Sequence, residues 1–302
     1  AAPEQAQLRW NRALHDLLCG RYAAGWDGYV SRWQVPDFPT PAQETGLPAW
    51  NGEDPAGRHL FVWPEQGPGD EIMFASCLPD LLAAGAEVTL CARSGAEVEA
   101  AAEAIRARGQ KAEALVLDVT DTAQVRAEIA ARGPFQVLFN NAGGNRPQTL
   151  LDLTEDDYDA IADLNVRAAL FVAQAVVKGL IEAELPGSII NVSSQMGHVG
   201  GPKRTVYCAT KHAIEGATKA MAWELGAHGI RVNTICPTFI ETPMTKDFLS
   251  DPEFVEFALS RIALGRLGQV EDLMGGILFL ASDASSLVTG SSLMIDGGWT
   301  AQ

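Results

Sequence analysis

Short apolar runs alternate with helix-like stretches along most of this chain, and that alternation restricts the fold more than any single residue does. The runs are His59–Trp63, Glu87–Cys91, Ala114–Asp118, Gln136–Asn140, Ser188–Ser193, Arg231–Cys236 and Ser292–Asp296. Each is short enough for a strand, and helical patterns separate them. Continuous Val/Ile/Leu runs bounded by helices predict a parallel sheet covered on both faces, because a strand buried on both sides has no polar face to alternate with. The expected class is α/β: a doubly wound sheet of about seven strands. With 302 residues, 47% of them hydrophobic, the chain has enough apolar material for one large core or two small ones.

The first part reads differently. From Gln5 to Trp33, Leu8, Leu14, Leu17 and Leu18 recur at helical spacing, and Gly20 ends that helix. Tyr22, Trp26, Tyr29 and Trp33 then step along a second helix as an aromatic stripe, which reads as packing surface. Between Val35 and Arg58 the prolines Pro36, Pro39, Pro41, Pro48 and Pro55 make a linker or extended arm. The expected division is therefore a helical hairpin and Pro-rich arm over 1–58, and the sheet domain over 59–302.

A net charge of −16 opposes nucleic acid and anionic membranes as partners. No apolar run reaches the roughly 18 residues of a membrane span, and the start has no basic segment followed by an apolar one. The five cysteines, Cys19, Cys77, Cys91, Cys208 and Cys236, are scattered and form no CxxC. That usage fits reduced thiols in a cytoplasmic protein and argues against a zinc site, so no metal is expected.

The chemistry concentrates late in the chain. Tyr207 and Lys211 lie just over one helical turn apart and so share a face. An ammonium beside a phenol favours phenolate and lowers a pKa that starts near about 10, which is what a proton shuttle near neutral pH requires. Taken alone, such a pair is more often an ordinary exposed Tyr/Lys couple. Ser193 and Ser194 lie just upstream, at a strand end. Asn140-Asn141-Ala142-Gly143 follows the fourth run; its small residues let backbone approach a flat ligand, and its asparagines can tie neighbouring strands. Asn165 interrupts an apolar helix at a cost in helix stability, so it has either a satisfied core role or a functional one. Pro237, Ile240 and Thr242 follow the sixth run, at the carboxyl end where open α/β sheets bind ligands.

These residues, in this order, resemble the short-chain dehydrogenase/reductase family from about Ala86 to Trp299, including the tail Leu287-Val288-Thr289-Gly290 and Asp296-Gly297-Gly298. The resemblance implies a Rossmann-type fold and an oxidoreductase that moves a hydride between a nicotinamide cofactor and a small alcohol or carbonyl, such as a sugar acid, a polyol or a 3-oxoacyl compound. It implies Tyr207 as general acid/base and Lys211 as its activator and ribose partner. Ser194, by its spacing to the tyrosine, is the serine that binds substrate oxygen, ahead of Ser193. Asn165 holds a water in a proton relay. Asp118 and Val119 match the adenine-contacting pair, and Asn140, Ala142 and Gly143 the cofactor side of the cleft. At the end of the second strand Ala92 stands where an NAD enzyme wants a carboxylate, and Arg93 is suited to grip a 2′-phosphate, which favours NADP(H) over NAD(H). A homotetramer or dimer built on the helices around Asn165 and Tyr207 is also implied.

The sequence departs from the family where its TGxxxGxG loop is expected. Here Trp63-Pro64-Glu65-Gln66-Gly67-Pro68-Gly69-Asp70-Glu71 stands instead. Gly67 and Gly69 can turn the chain into a helix start whose amides welcome phosphate. Against this, Pro68 removes a donor and Glu65, Asp70 and Glu71 bring like charge. An alternative reading follows: a reductase fold used as a binding or scaffold protein, with impaired cofactor binding. Residues from about Leu8 to Ala92 resemble bacterial tetratricopeptide-repeat proteins that lead into a glycosyltransferase-like domain, which gives the chain a chimeric appearance. Substrate identity is weakly encoded; Gln195, Met196, His198, Arg204 and Phe239 fall near the expected pocket.

Overall fold

A computed structural model describes residues 59–63, 86–242, 245 and 249–302. The helical hairpin and arm expected over 1–58, the loop with Gly67 and Gly69, and the tetratricopeptide-like stretch before Ala86 other than 59–63 lie outside the described residues.

The strands are β1 (His59–Trp63), β2 (Glu87–Ala92), β3 (Ala112–Val116), β4 (Val137–Asn140), β5 (Gly187–Val192), β6 (Ile230–Pro237) and β7 (Ser292–Ile295). They form one sheet in the order β3-β2-β1-β4-β5-β6-β7, and every adjacent pair is parallel. The order reverses at β1, which pairs with both β2 and β4. A crevice opens at such a reversal, outside the carboxyl ends of the strands.

Alternation along each strand divides the core in two. Val88, Leu90, Phe139, Ile190 and Ile235 face one way, against α1 (Gly95–Arg106) and α7 (Glu271–Ala281). Cys91, Leu138, Ile189 and Val232 face the other way, against α2 (Thr122–Arg132) and α4 (Ala169–Glu182). Helices on both faces make the sheet doubly wound. β3 starts and ends two residues before the apolar run that marks it in the sequence. It is an edge strand, with Val116 54% exposed, whereas Leu117 and Val119 are buried just beyond its end.

α3 (Glu155–Ala162) is capped by Thr154, whose hydroxyl accepts the Asp157 N–H at 3.1 Å, and opens on three acidic residues that suit its positive end. A π-helical turn over Asp163–Ala168 joins α3 to α4. The resulting rod, Glu155–Glu182, has 28 residues and a window of mean hydropathy 1.5, so by length and composition alone it is able to cross a membrane. Here Val172, Val176 and Leu180 are instead buried among the residues of α2, β4 and β5. α5 (Thr205–Leu225) and α6 (Pro252–Arg261) complete the elements around the site.

Candidate active site

The carboxyl ends of β4, β5 and β6 and the first turns of α5 enclose a cavity of about 280 Å³. Tyr207, Lys211, Ser194, Gly143, Pro237, Ile240 and Thr242 all line it. Seven of the sequence-predicted site residues, from four separate stretches of chain, therefore meet in one place.

Tyr207 is half-buried in the first turn of α5. Lys211, one turn on, is 4% exposed; its ammonium donates to the carbonyl of Val192 at 2.8 Å and stands 5.6 Å from the centre of the Tyr207 ring. A buried ammonium needs such acceptors, because desolvation otherwise favours its neutral form. Gly143 lies across from it. A Cβ there would sit 3.4 Å from both Lys211 Nζ and Asn165 Oδ1, crowding two polar groups that a glycine leaves room for.

Ser194 ends the strand region and caps a short turn over Gln195–Gly197: its Oγ accepts the Met196 N–H at 3.1 Å and donates to Gln195 Oε1 at 2.7 Å. Ser193 Oγ is buried and lies within reach of Glu215 and Cys236. The preference for Ser194 over Ser193 rested on spacing; both residues border the cavity.

Asn165 does not line the cavity. Its side chain is fully engaged: Oδ1 accepts the Gly144 N–H at 2.6 Å, and Nδ2 donates to Gly144 O at 2.9 Å and to Thr210 Oγ1 at 3.0 Å. Thr210 in turn donates to the carbonyl of Tyr207 at 2.8 Å. A continuous bridge thus runs from the Gly143-Gly144 loop through the π-helical turn to the backbone of Tyr207. Thr210 is the residue that sequence reasoning missed. The available signal was a Thr three residues after the tyrosine, where a helical hydroxyl bonds back to the carbonyl of the preceding turn.

Asn140 donates to Ala169 O at 2.9 Å and to Asn191 Oδ1 at 3.1 Å, and Asn191 donates to Thr218 Oγ1 at 3.0 Å. It ties β4 to β5 and α4 and holds the loop that carries Ala142 and Gly143. Among the described residues, three buried polar atoms that lack a partner belong to the cavity lining: Asn141 Nδ2, Asn145 Oδ1 and Thr238 Oγ1. Orphaned buried donors and acceptors are costly unless a ligand or water satisfies them.

The remaining predicted residues lie along the ends of β2 and β3. Ala92 is buried at the tip of β2 and Arg93 is exposed just beyond it. Asp118 is turned back on its own loop, accepting from the Thr120 N–H at 2.9 Å and the Thr120 hydroxyl at 2.7 Å. Val119 is 0% exposed, its side chain spent on the core, so only its backbone is left for a ligand. Phe239 gives the cavity lining an aromatic ring, which packs edge-on against Phe254 at 5.1 Å and Trp299 at 5.5 Å. Arg204 borders the same space. Burial works against its charge, although the nearby Tyr207 and Cys208 partly offset that.

The family model described as Enoyl-(Acyl carrier protein) reductase matches residues 76–300. The chain belongs to the short-chain dehydrogenase/reductase family. Within that family it is 40% identical to D-erythrulose reductase of Gallus gallus over 242 residues, which cover 80% of this chain and 95% of the relative. It is 40% identical to L-xylulose reductase of Bos taurus over 246 residues, covering 82% and 98%. Among solved structures, a gluconate 5-dehydrogenase from Burkholderia cenocepacia J2315 in complex with NADP and tartrate superposes with a TM-score of 0.76 at 33% identity, covering 82% of this chain and 96% of that one.

Proposed function

We propose that this chain is an NADP(H)-dependent oxidoreductase acting on a small hydroxylated carbonyl or alcohol, a sugar acid or polyol. The observation that carries this reading is the convergence of Tyr207, Lys211 and Ser194 on one cavity beside orphaned polar atoms. The relatives, a D-erythrulose reductase, an L-xylulose reductase and a gluconate 5-dehydrogenase in complex with NADP, support the same chemistry.

Bound at the cleft, NADP(H) supplies or accepts the hydride. Asn140, Ala142, Gly143, Pro237, Ile240 and Thr242 flank its nicotinamide half. Asp118, Val119, Arg93, Gly67 and Gly69 serve the adenosine and phosphates, with Arg93 on the 2′-phosphate. Tyr207 passes a proton to or from the substrate oxygen, and Lys211 keeps the phenol ready for it. Ser194 turns its hydroxyl from Gln195 to that oxygen. With the amide of Asn165 already bonded, a relay water is held by its main chain, in the π-helical turn where the regular ladder is interrupted. Within the substrate class, Arg204 favours a carboxylate-bearing sugar, because an anion restores what burial costs its guanidinium.

The wider organisation is part of the same proposal. Residues 59–302 form the catalytic domain, and 1–58 precede it. The protein works as a dimer or tetramer through α4 and α5, where Trp223 is 91% exposed. Among the described residues, Cys91, Cys208 and Cys236 form no disulfide, which suits a reducing, cytoplasmic setting. The test is cofactor oxidation with a panel of ketoses and keto-acids. Turnover with NADPH is expected, faster for the acids. Failure to bind NADPH at all would replace this reading with that of a reductase-fold scaffold.

A further inference from the structure

One turn beyond Lys211 on α5, a second cluster of reactive groups lies behind the Ser193-Ser194 strand end. Glu215 is 4% exposed. Its Oε2 accepts from the Ser292 hydroxyl at 2.5 Å and the Thr234 hydroxyl at 3.1 Å. Its Oε1 is turned the other way, 3.3 Å from Cys236 Sγ and 3.5 Å from His198 Nε2. The sulfur and that nitrogen are themselves 3.5 Å apart. Burial tends to raise the Glu215 carboxyl, but hydrogen bonds from Ser193, Ser292, Cys236 and Thr234 outweigh it and hold the group below the usual carboxylate range. Burial pushes the Cys236 thiol up to about 12, which makes it a poor redox nucleophile.

Three donor atoms thus stand at the corners of a nearly equilateral triangle. At 3.5 Å the imidazole–carboxylate contact is long for an N–H···O bond, whose usual range ends near about 3.2 Å. The same spacing suits a shared ion. With zinc bonds of about 2.0–2.3 Å to N, O and S, the edges of a tetrahedral site come to about 3.3–3.6 Å. A further polar atom adjoins the triangle: Ser193 Oγ, 2% exposed, lies within reach of both Glu215 and Cys236.

We infer that His198 Nε2, Glu215 Oε1 and Cys236 Sγ bind one divalent transition-metal cation of the zinc class, with Ser193 Oγ beside the fourth position. An imidazole, a carboxylate and a thiolate select such an ion over magnesium or calcium, which prefer oxygen alone. Thr234 and Ser292 are the outer partners, fixing the carboxylate through its other oxygen. His198, with 29% of its side chain exposed, gives the ion a way in. Binding exchanges the S–H bond of Cys236 for a sulfur–metal bond and releases that proton to solvent. The ion ties the loop after β5, which shapes the substrate pocket, to α5 and β6. Local cysteine spacing argues against zinc in this chain, but these ligands come from three elements that only the fold brings together.

The test is a titration of the metal-free full-length chain with Co²⁺, followed by absorbance, with Zn²⁺ as competitor. The wild type is expected to take one equivalent with a thiolate-to-cobalt charge-transfer band, which Zn²⁺ abolishes. His198→Ala, at the exposed corner, should fold normally by circular dichroism and bind Co²⁺ at least about tenfold more weakly. Cys236→Ser should lose the band. No band in the wild type, a His198→Ala titration matching the wild type, or a band that survives Cys236→Ser would each overturn the inference.

Discussion

Replacing Asn165 with alanine tests whether the bridge it forms organises the site. The substitution removes three hydrogen bonds. Thr210 retains its bond to Tyr207 O, but Gly144 loses the partners of both its N–H and its C=O. Leaving a buried backbone group unpaired costs about 1–3 kcal/mol. Gly144 borders the cavity, so water can reach it and the low end applies, giving about 2–3 kcal/mol for the two groups together. For a domain of this size that corresponds to about 4–12 °C in Tm. Asn165→Asp is the sharper variant. It keeps an acceptor for the Gly144 N–H but sets a second oxygen against Gly144 O, now 2.9 Å from Nδ2, so it should destabilise at least as much as alanine at neutral pH. Urea unfolding measures both, and kcat/KM should fall with stability because the Gly143-Gly144 loop also borders the cleft. Alanine within about 0.5 kcal/mol of wild type, with kcat/KM unchanged, would refute the bridge.

Leu180→Ala empties a fully buried position on α4, whose side chain lies against Gly187 of β5; chemical unfolding should register a loss of about 2–5 kcal/mol. Arg93→Ala should weaken NADPH by about tenfold and leave NADH unchanged in fluorescence titrations, the cost of one charge-assisted contact. Arg266, bonded to Asp272 at 2.6 and 2.7 Å, together with the Gln269 N–H, holds that carboxyl down at about 2, against a usual 3.8. A depressed folded pKa contributes stability above the unfolded value that is lost as pH falls through the folded one. Asp272→Asn should therefore destabilise by up to about 1 kcal/mol at neutral pH, and the difference from wild type should close between about pH 4 and pH 2 in acid-unfolding curves.

Much of this fold was legible in the sequence because β-branched runs carry their own strand signal. β1 spans the residues its run marked, and the β2, β4, β5, β6 and β7 boundaries fall within one residue of theirs. β3 is displaced because this edge strand has no continuous buried run: Glu113 and Val116 are exposed and Leu115 is buried, while the apolar Leu117 belongs to the following loop. The YxxxK pair and the strand-end residues were legible because their spacing fits one helical turn and the carboxyl ends of strands. What Asn165 bonds to was not, since its partners lie 21 and 45 residues away along the chain. The His198, Glu215 and Cys236 triangle was hidden for the same reason, its members falling on a loop, a helix and a strand.

The most direct measurement of the central claim pairs NADPH binding with turnover in Tyr207→Phe. The phenol proton is lost while the ring and Lys211 remain, so NADPH affinity by fluorescence should stay within a few-fold of wild type while kcat falls by at least about a hundredfold. A phenylalanine variant that turns over carbonyl substrates at the wild-type rate would contradict the account.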